Sequence, residues 1–189
     1  MKLLQQGKYD NMNLMRQGLI HKRGSFLRDS VFSASDGLIT TFAVVAGSVG
    51  ASLNTPVVLI LGFANLFADG FSMSASTYLG VKSEVEFEES EGDSHVHEAS
   101  PLSQAFVTFF SFGVAGFLPL LPYVMGLQNA FILSLSIVMV SMFGIGLIKS
   151  VFTKKGTLRS GFEILVIGGM AAFVAYVTGD LIEKIVNLR

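Results

Sequence analysis

Apolar residues follow one another along this chain in five long stretches, interrupted by short polar segments. The stretches cover residues 31–53, 56–81, 101–125, 128–151 and 157–186. Each holds at least about 20 mostly apolar residues, the length that an α-helix needs to cross a bilayer. None shows the alternation of polar and apolar residues that marks the strands of a membrane barrel. The pattern predicts an all-α integral membrane protein with five transmembrane helices.

Prolines predict where these helices begin and bend. Pro56 and Pro101 fall in the first turn of the second and third stretch, where a helix tolerates proline. Pro119 and Pro122 lie inside the third stretch, where a proline removes a backbone donor and clashes with the preceding turn. We therefore expect a bent third helix.

The composition favours a bilayer as the solvent and narrows the function. The chain is 51% hydrophobic and only 14% charged, unlike an ordinary soluble domain. It has no cysteine, which excludes disulfides, thiolate metal sites and cysteine nucleophiles. Nothing in it supports nucleic-acid binding, and it has no hydrolase elbow, phosphate-binding glycine loop or zinc helix. We therefore expect a membrane protein that is not an enzyme.

Basic residues are distributed unevenly between the stretches. Six of the thirteen Lys and Arg residues lie in residues 1–28, and four lie in residues 149–159. Because positive charge collects on the cytosolic side, the N-terminus is predicted to be cytosolic. Residues 1–28 form an arm, either an amphipathic helix on the anionic leaflet or a disordered segment, before a transmembrane domain of residues 29–189. Arg159 and Glu163, four residues apart, predict an interfacial ion pair.

Asp69 lies near the middle of the second stretch, midway between Pro56 and Lys82. A charged side chain at that depth costs at least roughly 2.5 kcal/mol, and no Lys or Arg lies well inside any stretch to neutralise it. A proton or a bound cation would do so, and the two together describe a proton-coupled cation site. The alternative is a permanently protonated Asp that makes one interhelical hydrogen bond.

Asp36, near the start of the first stretch, has two interpretations. As the residue after Ser35 it suits the N-cap of the first helix. If Asp29 provides an earlier cap, Asp36 lies two turns inside the helix, with Thr40 one turn further along the same face. In that case Asp36 joins Asp69 as an intramembrane carboxylate.

A polar stripe accompanies Asp69 on the second helix. Asn65 and Met73 lie four residues to either side of it, and Ser72 and Ser76 lie less directly on the same face. A methionine in an apolar helix often has only a packing role. Oxygen ligands beside a thioether, however, suit a borderline ion such as Fe²⁺ better than Mg²⁺ or Ca²⁺.

Residues 84–98 contain seven of the fourteen acidic residues, together with His95 and His97. One interpretation is a solvated charged loop. The other is a cytosolic segment that attracts metal, because carboxylates and imidazoles bind Fe²⁺, Mn²⁺ and Zn²⁺ and concentrated negative charge raises the local cation concentration. If the second helix continues this far, Glu84 and Glu88 form a carboxylate pair one turn apart.

Several runs of the sequence resemble the vacuolar iron transporter family. The run Ser-Asp-Gly-Leu-Ile-Thr-Thr at 35–41, with Gly-Phe-Ala at 62–64 and Phe-Ser-Met-Ser at 71–74, is similar to the first two helices of that family. Pro-Leu-Leu-Pro at 119–122 resembles its third helix. Arg-Ser-Gly at 159–161 and Ile-Gly-Gly-Met-Ala at 167–171 resemble its fifth, so the resemblance covers roughly residues 31–182.

The resemblance implies a homodimer of five-helix protomers, in which the first two helices of each subunit line a path at the dimer axis. It implies export of Fe²⁺ or Mn²⁺ from the cytosol in exchange for protons, with no cofactor besides the transported metal. The intramembrane aspartate and the pore methionine of the family map onto Asp36 and Met73. The membrane would be the cell membrane of a prokaryote, or a vacuolar or other organelle membrane of a eukaryote.

The sequence departs from the family pattern in three places. The acidic segment 84–98 stands in place of a long helical metal-binding domain. Asp69 stands where many relatives have a small residue, and Thr77 replaces a glutamate commonly found four positions after the methionine. Our predicted metal ligands are Asp36, Asp69, Met73, Glu84, Glu88, His95 and His97. The residues predicted to line the path are Thr40, Asn65, Ser72, Ser76 and Thr77.

Two other classes of function fit the same pattern. One is a non-transporting membrane scaffold or partner subunit whose acidic segment binds a cytosolic protein. The other is a pathway for protons or monovalent cations, in which Met73 would have no role. Deletion of residues 84–98 separates the scaffold from the transporter, because a scaffold would lose its partner while a transporter would keep some flux.

Overall fold

The computed structural model describes residues 2–91, 100–153 and 156–187. Within these residues there is no β-strand. The helices are α1 (Lys2–Gly50), α2 (Thr55–Glu91), α3 (Pro101–Phe117), α4 (Leu121–Val124), α5 (Ala130–Thr153) and α6 (Thr157–Asn187). The stretches long and apolar enough to cross a membrane are Gly24–Gly50, Thr55–Ser90, Pro101–Val124, Ala130–Thr153 and Thr157–Val186. The prediction of an all-α integral membrane protein with five spans is confirmed.

Helix α1 runs without a break from Lys2 to Gly50. At about 1.5 Å per residue it is roughly 74 Å long, more than twice the ~30 Å thickness of the hydrocarbon core. Its N-terminal part must therefore lie outside the membrane. The predicted arm is helical from Lys2 onward, while its position on the membrane surface and the cytosolic location of the N-terminus stay predictions.

Helix α2 also extends beyond the membrane. The Asn54 side chain caps its start, because Asn54 Oδ1 accepts a hydrogen bond of 3.2 Å from the backbone N–H of Val57. The helix is apolar to Val81 and then strongly charged to its end at Glu91. At roughly 56 Å it is too long for the hydrocarbon core, so this charged end projects into water beside the membrane.

The third span is interrupted where the two prolines predict it. Helix α3 ends at Phe117, a tight 3₁₀ turn covers Leu118–Leu120, and the one-turn helix α4 follows. Gly126 ends α4 with φ 62°, and the backbone N–H of Leu127 donates to the carbonyl of Pro122 at 3.0 Å. This is the left-handed helix end that glycine favours.

Helix α1 is the centre of the bundle and packs against α3, α6, α2 and α5. Glycines allow its closest approaches. A Cβ at Gly37 would overlap the backbone of Phe112 in α3, and a Cβ at Gly50 would overlap the carbonyl of Tyr176 in α6. Small residues at such crossings let helices in a membrane gain dispersion energy. The buried core around them includes Leu38, Phe42, Val45, Leu120 and Met142.

One predicted ion pair is wrong. Glu163 pairs with Lys149 of α5, with a distance of 3.6 Å between Lys149 Nζ and Glu163 Oε2, and not with Arg159. The partner from the neighbouring helix is nearer than the one four residues earlier on its own helix, a choice that sequence spacing does not reveal.

Candidate metal centre

Neither Asp29 nor Asp36 caps a helix, so both N-cap interpretations are wrong. Because α1 already begins at Lys2, both aspartates lie far inside it, and their backbone groups belong to the hydrogen-bonded helix. Asp36 is half-buried. The second alternative from the sequence, an aspartate well inside the helix with Thr40 one turn further on, describes its position.

The packing of α1 on α2 brings the carboxylates of Asp36 and Asp69 close enough to interact electrostatically. Both side chains are half-buried, and both lie in membrane-spanning stretches. No Lys or Arg occurs between Arg28 and Lys82. Two negative charges close together in hydrocarbon repel each other, and each also loses its hydration. A shared cation or proton would relieve both costs.

Further polar side chains lie one helical turn from these carboxylates on α1 and α2. Met73 is half-buried one turn after Asp69. Thr40 Oγ1 and Asn65 Nδ2 are buried, and neither has a hydrogen-bond partner among the described residues. Buried polar atoms are nearly always satisfied, so unpartnered ones beside two carboxylates indicate a place where a polar ligand binds. Rotation of the Asn65 amide would present Oδ1 in the place of Nδ2.

Thr77 contacts α3. The hydroxyl of Thr108 donates to Thr77 Oγ1 at 3.3 Å, and the hydroxyl of Ser74 donates to the carbonyl of Ala105 at 2.9 Å. These bonds fix the rotation of α2 about its axis. Thr77 thus lies at the α2–α3 contact, and its role as a path-lining residue stays a prediction.

Ser72 and Ser76 lie on an exposed face of α2. They continue a four-residue repeat of small exposed side chains that begins at Ala64 and Ala68. Residues at this spacing share one face of a helix. Asp69 is next to this face, so a helix packed against the small side chains would approach the carboxylate pair.

Glu84 and Glu88 lie one turn apart, because α2 continues through Glu91. Glu84 is exposed and Glu88 is half-buried. The other two predicted ligands of this segment, His95 and His97, lie outside the described residues. The role of the acidic segment in metal binding stays a prediction.

A single protomer does not complete a metal site from acidic and imidazole ligands. Among the residues that the structure describes, no three His, Cys, Asp or Glu side chains come together closely enough to hold a metal ion. Asp36 and Asp69 supply two carboxylates. The remaining positions around an ion would have to come from Met73, from neutral oxygens, from water or from a second protomer.

Asp29 is a residue that reasoning from the sequence missed. It is only 7% exposed, and it lines a cavity between α1 and α2 together with Glu84. The signal was present, because Asp29 precedes Asp36 by seven residues and therefore lies on the same face of α1, two turns away. Its interpretation as a cap concealed that relation.

Comparison with known proteins places most of the chain in one family. The model of the VIT family matches residues 27–98 and 92–180. The chain belongs to the VIT family. The matched residues extend into all five spans in order, and Asp29, Asp36, Asp69, Met73 and Glu84 fall within them.

Several relatives with curated names are similar along most of their length. Vacuolar iron transporter 1 of Arabidopsis thaliana is 27% identical over 218 residues, which cover 85% of this chain and 87% of that protein. The vacuolar iron transporter of Toxoplasma gondii is 25% identical, covering 86% of this chain and 76% of that protein. These VIT family relatives are named as transporters, which agrees with the expectation from the sequence.

The lengths of the alignments differ between VIT family members. The alignment with Arabidopsis vacuolar iron transporter 1 is longer than the whole of this chain, 218 against 189 residues, so that protein has segments without a counterpart here. Vacuolar iron transporter homolog 3 of Arabidopsis aligns over only 164 residues, covering 82% of each chain at 26% identity. The family match also divides in two within residues 92–98, inside the short acidic segment.

Proposed function

We propose that this protein transports divalent transition metal ions, Fe²⁺ and Mn²⁺, across a membrane. The observation that carries the proposal is the pair of half-buried carboxylates, Asp36 and Asp69, on two membrane-spanning helices that pack against each other. The absence of any Lys or Arg between Arg28 and Lys82 leaves a cation or protons as the companion of these charges. The names of the relatives support metal as that cation.

In the proposed mechanism a dehydrated ion is held by Asp36, Asp69 and the thioether of Met73. Carboxylate oxygens replace part of the ion's hydration shell, and the sulfur favours Fe²⁺ over harder ions. After the ion leaves, protons neutralise the carboxylates, because two dehydrated negative charges cannot stay close together. Metal movement out of the cytosol would in this way be exchanged for protons.

The proposed unit is a homodimer formed through the first two helices. The small exposed residues Ala64, Ala68, Ser72 and Ser76 support α2 as the contact, because such a repeat lets two membrane helices approach closely. A two-fold axis along this face would bring two copies of Asp69 together. The dimer would then supply four carboxylates, enough to surround one ion. For the membrane we propose a vacuole or another organelle, as the names of the relatives indicate.

Metal flux into proteoliposomes tests the transport proposal. Purified protein is reconstituted, reduced Fe²⁺ or Mn²⁺ is added outside, and a metal-sensitive dye and a pH dye report from the lumen. We expect Asp36→Asn and Asp69→Asn each to lower the flux at least as much as the roughly 10- to 100-fold loss typical of groups that only support a metal ligand. Met73→Leu should lower Fe²⁺ flux more than Mn²⁺ flux.

Asp180→Asn is the matched control for these carboxylate variants. Asp180 lies near the C-terminal end of α6, where its Oδ2 accepts a hydrogen bond of 2.6 Å from Lys184 Nζ. It is far along the chain from the carboxylate pair and should leave the flux unchanged. Undiminished flux in both Asp36→Asn and Asp69→Asn would end the metal-transport proposal. A proton current that persists without metal would favour the monovalent-cation alternative.

Cysteine cross-linking tests the dimer, because the native chain has no cysteine. Ser72→Cys places one thiol on the exposed small-residue face of α2, and we expect oxidation in the membrane to yield a covalent dimer. Phe173→Cys, on an exposed position of α6, is the control and should stay monomeric. Equal cross-linking of the two variants would argue against a contact through α2.

A further inference from the structure

A cavity of about 390 Å³ opens between α1 and α2 on the side of the membrane where α2 becomes charged. We call it the vestibule. Its lining includes Arg28, Asp29 and Phe32 from α1, and Thr77 and Glu84 from α2. The vestibule thus holds two carboxylates outside the central pair.

Asp29 is the buried ligand of the vestibule. The residue is 7% exposed. Its Oδ1 accepts a hydrogen bond of 3.0 Å from Arg28 Nε, whereas its Oδ2 is buried and has no hydrogen-bond partner among the described residues. A buried carboxylate oxygen without a partner is energetically costly. Because Asp29 lines the cavity, a cation there would satisfy this oxygen.

Arg28 covers Asp29 from the solvent side. The Arg28 side chain is 66% exposed, against 9% for that of Asp29. An exposed guanidinium can leave its partner at little cost, because water and salt screen the pair on its outer side. The ion pair is therefore a cover that a divalent cation can displace, since two positive charges compete with one for the same carboxylate.

The register of α1 against α3 indicates that a further side-chain oxygen, that of Gln104, lies at the level of Asp29. Gly37 contacts Phe112, and the hydroxyl of Thr41 lies beside Gly116. A step of four residues along α1 therefore corresponds to a step of four residues along α3, and the two helices run in the same direction. Two turns before these contacts, the same register places Gln104 opposite Asp29. Gln104 is 3% exposed, and its Oε1 is also buried without a hydrogen-bond partner among the described residues.

The vestibule lies in line with the central carboxylates. Phe32 lines it, and Asp36 follows Phe32 by four residues on the same face of α1. Thr77 lines it from α2, and Met73 precedes Thr77 by four residues. A cation in the vestibule would therefore be about one helical turn from the Asp36 and Met73 level along both helices.

We propose that the vestibule is a second divalent-cation site, in which Asp29 and Glu84 bind an incoming ion that displaces Arg28 from Asp29. Its role as the entrance to the central pair rests on the proposed transport function. The side-chain donors that line the vestibule are oxygens, from Asp29, Glu84 and Thr77, and such donors suit Mn²⁺, Mg²⁺ and Ca²⁺. Discrimination between metals is left to the deeper site, where Met73 supplies sulfur.

Mn²⁺ binding to the full-length protein in lipid nanodiscs tests the proposal, with free Mn²⁺ measured by electron paramagnetic resonance. The starting protein is Asp36→Asn/Asp69→Asn, in which the central pair is removed. We expect it to keep a Mn²⁺ site that Asp29→Asn weakens by at least about tenfold. Arg28→Gln should tighten that site by roughly tenfold, because it removes the competing charge. Mg²⁺ or Ca²⁺ should compete for it.

The Arg28→Gln variant distinguishes an effect on Mn²⁺ binding from an effect on folding. A purely structural Arg28–Asp29 ion pair predicts that Arg28→Gln and Asp29→Asn lower thermal stability and leave Mn²⁺ affinity unchanged. The proposal predicts opposite changes in affinity for the two variants. Asp180→Asn is the control and should change neither. Unaltered Mn²⁺ binding in Asp29→Asn would overturn the proposal.

The result is separable from that of the transport experiment. If the wild-type protein shows no flux while Asp29→Asn still weakens a Mn²⁺ site, the transport function fails and the vestibule remains a cation site. If the wild-type protein transports metal while Asp29→Asn and Arg28→Gln bind Mn²⁺ like the starting protein, the vestibule proposal fails alone.

Discussion

The two faces of α1 in the middle of the membrane differ in how they meet their neighbours. Toward α3, Gly37 lies directly against the backbone of Phe112, and Thr41 is fully buried. Toward α2, Asp36 is only half-buried and interacts with a second carboxylate, that of Asp69. One face is closed by contact between backbones, and the other holds two carboxylates with no Lys or Arg between Arg28 and Lys82 to neutralise them.

The difference separates the part of the bundle that holds the fold from the part available for chemistry. Close backbone approach gives α1 and α3 their dispersion energy and fixes their register. The carboxylate face contributes little to stability, because dehydrated like charges repel. Proteins commonly keep such costly groups only where function needs them. The predictions below test this division, from the largest expected effect to the smallest.

The largest effect is expected from filling the α1–α3 contact. Gly37→Val places a side chain against the backbone of Phe112, which cannot move without shifting a helix, and overpacking of this kind costs about 3 kcal/mol. Gly113→Val is the control, because a Cβ at Gly113 meets nothing within 4 Å. Thermal unfolding in detergent measures both. Equal melting temperatures of the two variants would show that α1 and α3 do not pack closely at Gly37.

A smaller effect is expected from the carboxylate face. Mn²⁺ at a thirtyfold excess over its Kd should stabilise the wild-type protein by roughly 2 kcal/mol more than Asp36→Asn/Asp69→Asn, because only the wild-type protein has the central pair to bind it. Without metal, the double variant should melt at the higher temperature, since the folded wild-type protein must either hold two dehydrated charges close together or take up protons to neutralise them, and the variant need do neither. If the metal-free variant were less stable than the metal-free wild type, the claim that the two carboxylates destabilise the fold would be contradicted.

Two neighbouring threonines test the comparison within one helical turn. Thr41 Oγ1 and Thr40 Oγ1 are both buried without a hydrogen-bond partner among the described residues. Replacing either with the isosteric valine should raise stability by about 1 kcal/mol, because an unsatisfied hydroxyl is removed. Only Thr40→Val should also lower metal flux, since Thr40 lies beside the carboxylate pair. Equal flux in the two variants would place Thr40 outside the path.

The smallest effect is expected at the edge of the bundle, away from both faces. Glu163→Gln removes the ion pair between α5 and α6, in which the Glu163 side chain is 58% exposed. Exposed pairs contribute only a few tenths of a kcal/mol up to about 1 kcal/mol, so the melting temperature should barely change and the flux not at all. A large loss of stability would show that this pair is part of the tight packing.

The sequence predicted most of the fold and only part of the site. The five spans, the break at Pro119 and Pro122, and the depth of Asp69 were predictable, because they depend on residues near one another in the chain. The continuity of α1 through Asp29 and Asp36 was not. Capping chemistry at Asp29 and Asp36 suggested helix starts, whereas the helix continues from Lys2.

The sequence by itself determined which segments enter the membrane and which charged groups go with them, because transfer into hydrocarbon is a property of each segment alone. Only the tertiary structure decided that Asp36 and Asp69 lie close enough to interact electrostatically, that Asp29 shares a cavity with Glu84, and that Glu163 pairs with Lys149. These pairings depend on the rotation of each helix about its axis. That rotation is fixed by packing contacts such as Gly37 on Phe112, between residues far apart in the chain.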